Sequence, residues 1–107
     1  MSAAGWQSLD EAALADLLFG VLDAHADSMA VKRTRFRLRD MGADNHDELA
    51  QFRLLQRACR EDAALSGAFE AAGLPALADL RLLPATPVVG RLVQAFNRMV
   101  EARWEVH

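Results

Sequence analysis

Cysteine occurs once among the 107 residues, at Cys59. An intramolecular disulfide is therefore impossible, and so is a metal centre built on several thiolates. A reduced, cytoplasmic protein with a buried thiol is the expectation. The first residues, Met1 to Trp6, carry neither the basic segment nor the apolar core of a secretory signal. No apolar run reaches the length needed to cross a bilayer, so no membrane contact is expected. Gly/Ser-rich linkers and internal repeats are missing too. One domain over residues 1–107 is expected, with 1–7 as a flexible lead.

Catalytic signatures are equally scarce. No serine sits in a Gly-x-Ser-x-Gly elbow, and there is no glycine-rich phosphate loop. His25, His46 and His107 are the only histidines. Helical zinc and di-iron sites use His-x-x-x-His or Glu-x-x-His spacings, and neither occurs. Asp23 and Asp27 flank His25, while Asp47 and Glu48 follow His46. Residues one or two apart on a helix point in different directions, so these clusters do not converge. No metal and no cofactor are expected, and the enzyme reading has no positive support.

Apolar residues, by contrast, make up 52% of the chain and charged residues 25%, a composition that suits a globular fold. So short a chain has much surface for its volume. Part of the apolar surface is expected to be covered by another chain, in an oligomer or a complex. Alanine supplies much of the apolar count, which weakens this. The formal net charge of −3 excludes no class of partner.

The strongest pattern lies near the end. Thr86 can cap a helix, and Pro87 suits its first position. Val89, Leu92, Val93, Phe96, Met99, Val100 and Trp104 then recur at helical spacing. The apolar arc is roughly 160° wide at about 100° per residue, so this helix is embedded. Phe96 is predicted to pack against the helices that carry Leu18 and Phe52. Trp104 continues the stripe into a frayed end and is a candidate interface residue.

Earlier in the chain, Ser8 and Glu11 have capping-box spacing. Leu14, Leu17, Leu18, Val21, Leu22 and His25 follow on one stripe, with Trp6 placed to fold back onto the first turns. Asp44 or Asn45 can cap a further helix bearing Phe52, Leu55 and Cys59, with Asp47 and Glu48 in its first turn. Glu61 and Asp62 mark a continuation or a new start. Leu65, Ala68, Phe69 and Ala72 repeat the helical pattern until Gly73-Leu74-Pro75 ends it. Leu77, Leu80 and Leu83, at spacing three, predict one or two further turns. The expected fold is all-α, a bundle of four to six short helices around one core.

Charge is distributed less evenly than the total suggests. Residues 1–27 hold five acids and no lysine or arginine, whereas Lys32, Arg33, Arg35, Arg37 and Arg39 place five bases in eight residues. The basic stretch fits a strand by period two and a helix by period 3.6. Helix is preferred, since no second strand exists to pair with it. It should end near Met41-Gly42. Its arginines are expected to balance the acidic first helix, through Asp10, Glu11, Asp16, Asp23 and Asp27.

Two functions follow. The first is a small non-catalytic interaction module, an accessory or adaptor protein or a small subunit, that binds a protein or itself. The alternative is a nucleic-acid-binding regulator that uses Lys32, Arg33, Arg35, Arg37 and Arg39 on phosphates and Phe36 on a base. The turn Gly42-Ala43-Asp44 between two helices gives that alternative a faint helix-turn-helix character. The acidic overall charge counts against it.

Overall fold

The computed structural model describes residues 5–41, 47–84 and 86–104. Among them are five α-helices and no strand: α1 Glu11–Ala24, α2 Met29–Met41, α3 Glu48–Glu61, α4 Ala63–Ala71 and α5 Pro87–Arg103. Short 3₁₀ turns cover Gly5–Ser8 and Leu77–Asp79. The basic stretch is thus helical, and α2 runs to Met41.

Helix α5 begins as its residues dictate. Thr86 accepts a bond from the Val89 N–H at 3.2 Å, and Pro87 takes the first helical position. Its arc is buried from Leu92 through Val93, Ala95, Phe96 and Met99 to Val100. It lies along α1, the most extensive helix pair in the fold. Phe96 meets Phe52 of α3 edge-to-face with centroids 5.9 Å apart, an arrangement that suits the ring quadrupoles. Leu14, Leu18 and Leu22 of α1, Leu55 of α3, and Leu65 and Phe69 of α4 complete one connected core.

Several expectations change at the joints. Ser8 does not cap α1. Its hydroxyl donates to the Gly5 carbonyl inside the 3₁₀ turn, and Asp10 accepts the Ala13 N–H instead, at 2.8 Å. Asp44 and Asn45 lie outside the described residues, and the cap of α3 is Asp47, which accepts the Ala50 N–H. Asp62 is a new start. Its backbone is extended, and its carboxylate receives the N–H groups of Ala64 and Leu65. After α4, Gly73 takes φ 98°. The Gly73 N–H then reaches the Glu70 carbonyl and the Leu74 N–H reaches Phe69, the paired bonds of a glycine-terminated helix.

The leucines beyond do not keep spacing three. The helical turn stops at Asp79, and Leu80 is extended. An extended chain alternates its side chains, so Leu82 is buried while Leu83 stays 60% exposed. What holds this segment is polar. The buried Gln56 donates from Nε2 to the carbonyls of Leu77 (2.9 Å) and Leu80 (2.8 Å), and Arg60 donates to Ala78. A loop gains from side chains the backbone partners that a helix would have supplied.

The acidic first helix is not balanced by α2. Glu11 pairs with Arg98 at 3.4 Å and Asp16 with Arg103 at 3.2 Å, both on α5. Neighbourhood decides the partner, and α1 lies on α5 while α2 lies mainly on α3. Among the described residues, the exposed large apolar side chains are Met29, Phe36 and Leu83 alone.

Candidate functional site

Helix α2 enters from Ser28, whose hydroxyl donates to Asp62 at 2.6 Å. That bond, the N–H groups at the start of α4 and the nearby His25 hold the Asp62 carboxyl below its usual range against the opposing effect of burial. The inner face of α2 carries Ala30, Val31, Thr34 and Leu38, all buried. Thr34 satisfies its buried hydroxyl on the Ala30 carbonyl at 2.8 Å.

Two flanks tie the helix down. On one, Arg33 and Arg37 approach Glu61 at 3.8 and 3.6 Å, and Arg57 of α3 reaches the same carboxylate at 3.3 Å. Partial desolvation of Glu61 works against ionisation. The bond from Arg57 and the charge of Arg37 outweigh it, so the carboxyl lies below its ordinary value. The Arg37 Nη1 is buried with no hydrogen bond, and the Glu61 charge is what compensates it. On the other flank, Arg35 lies over the Trp104 ring, 5.0 Å from its centroid. Trp104 is 5% exposed and meets Phe96 edge-to-face at 6.4 Å. The end of α5 is therefore docked on its own chain, and the Trp104 ring is covered there.

The outward face is different in kind. Phe36 is 65% exposed and Met29 57%. They are seven residues apart, hence on one face, separated by about 10 Å along the axis. Lys32 and Arg39, also seven apart, border them, and neither makes an ion pair among the described residues. Asp40 is the one acid on that face. Of the six residues singled out from sequence on α2, the structure separates three that anchor the helix (Arg33, Arg35 and Arg37) from three that face outward (Lys32, Phe36 and Arg39). Met29 belongs with the second set. Period 3.6 places it beside Phe36, but only the packing tells which face points away.

Other places offer less chemistry. Cys59 is buried in the core. Burial, then the charge of Asp62, pushes its thiol up to about 12, with Arg60 opposing, so it stays protonated. His25 closes α1, its Nδ1 donating to the Val21 carbonyl at 3.0 Å. His46 and His107 lie outside the described residues. Among those described, no three His, Cys, Asp or Glu side chains gather into a metal-binding group. An open cleft of about 740 Å³ lies between Gln7–Glu11 and the start of α5. The Arg91 in its wall is already committed, donating to the carbonyls of Gln7 and Leu9. No described helix is long and apolar enough to cross a membrane.

Comparison with known protein families, characterised proteins and solved structures gives no match.

Proposed function

We propose that this protein is a small non-catalytic interaction module, an accessory or adaptor protein or a small subunit, and that its contact surface is the outward face of α2. One observation carries the reading. Two large apolar side chains, Met29 and Phe36, stand exposed in register on one helix beside Lys32 and Arg39, which make no ion pair among the described residues. Large apolar groups held in water lose the favourable transfer that buries their counterparts in the core. A partner that covers them recovers it, and their clustering on one face distinguishes this from scattered apolar residues. Arg33, Arg35 and Arg37 support the surface by fixing the helix. A cytoplasmic location belongs to the same reading, supported by the single buried thiol.

A photo-reactive amino acid in place of Phe36 tests this in the native cell, with exposed Glu70 as the control position. The expected result is a protein adduct from position 36 and none from position 70. An adduct with a second copy of the chain assigns the face to self-association. An adduct removed by nuclease favours the nucleic-acid alternative, in which Lys32 and Arg39 meet phosphates and Phe36 stacks on a base. Absence of any adduct at position 36 overturns the reading.

A further inference from the structure

Resting on that reading of the α2 face, we infer that its occupant is an acidic amphipathic helix of a different protein. Three observations narrow the choice. The first is charge: Lys32 and Arg39 flank Phe36 and Met29, and outnumber Asp40, the one acid on that face. A complementary surface carries carboxylates around an apolar centre, which gives both attraction and register.

The second is that no described segment of this chain supplies that complement in full. Among the described residues, the remaining exposed large apolar side chain is Leu83, two positions after the basic Arg81. Glu11 and Asp16 of the acidic α1 are already paired with α5. An antiparallel two-fold dimer centred on Phe36 would set Lys32 against Asp40 of the copy but Arg39 against Arg33 of the copy. A second copy therefore offers one acid to two outward cations around Met29 and Phe36, a poorer complement than an acidic helix.

The third is shape. No described residue forms a strand, so there is no sheet edge for an extended peptide to join. Contact must run through side chains. A helical ridge with apolar groups seven apart matches another helix carrying apolar residues at i, i+3 or i+4, and i+7. Scale then separates this occupant from an extended polyanion. A strand of nucleic acid or an anionic membrane reaches well beyond two turns of helix, and the whole chain carries −3. A short acidic helix meets only the basic face.

The test uses two synthetic helical peptides of equal length. Both carry leucine at the stated positions, one with glutamate and one with lysine elsewhere. Binding to the full chain is followed by amide chemical shifts. The glutamate peptide is expected to perturb Met29, Lys32, Phe36 and Arg39, and to bind at least about tenfold more tightly than the lysine peptide. Phe36→Ala should weaken it about tenfold with an unchanged melting temperature, since the ring is exposed. Lys32→Glu with Arg39→Glu should weaken it further and remove its salt dependence. Equal binding of the two peptides, perturbation centred elsewhere, or tighter binding of a single-stranded oligonucleotide or an anionic vesicle overturns the assignment. A protein adduct at position 36 with no peptide binding removes the acidic helix alone. Failure of both experiments removes the contact surface as well.

Discussion

Phe96 shows what one side chain does here. It is fully buried and touches aromatic rings on both sides, Phe52 from α3 and Trp104 at the end of its own helix. Phe96→Ala should cost about 3–5 kcal/mol, because three elements cannot all move in to close the cavity. Domains of this size hold only about 5–15 kcal/mol, so urea unfolding should find a marginal protein. A midpoint near that of the wild type would remove α5 from the centre of the fold. This role was legible in sequence, since it follows from spacing alone. That of Gln56 was not. Nothing near it in sequence says that a glutamine on an apolar stripe will meet two carbonyls 21 and 24 residues away. Gln56→Leu leaves both carbonyls without that donor and should cost roughly 1–3 kcal/mol for each that stays dry. A loss below about 0.5 kcal/mol would mean that water replaces the amide. Cys59 gives a chemical readout of the same core. With its thiol near 12, about one molecule in 10⁵ is a thiolate at pH 7. A thiol reagent should label the native chain only as fast as it opens, and label it promptly in denaturant. Equal rates in the two conditions would place the thiol at the surface.

The helices themselves were legible because apolar period and stop signals agree along each of them. The joints were less so, because several polar residues compete for each cap and tertiary position chooses among them. Ser8 was spent on its own turn, which left α1 to Asp10. Asp62 shows how far such a choice reaches. One carboxylate caps α4 and also receives the Ser28 hydroxyl at the start of α2. Its pKa is lowered in the folded chain, so the unfolded chain binds the proton first as pH falls. The sign follows from that order: Asp62 contributes stability above the ordinary carboxylate range near pH 4, and this is lost as pH drops through the lower folded value. Asp62→Ala should cost about 1 kcal/mol at neutral pH, the usual worth of a cap. Asp62→Asn keeps an equally good cap and removes the titration. Its stability should therefore depend less on pH below about 4 than that of the wild type. Parallel curves for the Asp62→Asn variant and the wild type would assign the acid sensitivity to other carboxylates, Glu61 first among them.

On the scale of the whole molecule the helices are not held equally. α1 and α5 share the longest interface, and α3 reaches α5, α4 and the loop after it. α2 rests mainly on α3, and two further ties link it to the rest, Ser28 to Asp62 and Arg35 to Trp104. Its outer face contributes no buried apolar area, and its ion pairs with Glu61 are partly solvated. Such pairs are worth only about 0–1 kcal/mol each. Local stability follows buried contact, so α2 should open before the rest of the bundle. Hydrogen exchange should find its amides less protected than those of α1 and α5, which open only with global unfolding. Arg35→Ala should lower protection in α2 while leaving α1 unchanged, because the stacked guanidinium is lost without a cavity in the core. Trp104→Ala should lower it in both α2 and α5, since that ring is shared by the two. Uniform protection across all five helices would mean that α2 folds and unfolds with the core. A helix able to move on its own would also let the proposed contact face adjust to a partner, so a docked acidic helix should slow exchange in α2 more than in any other element.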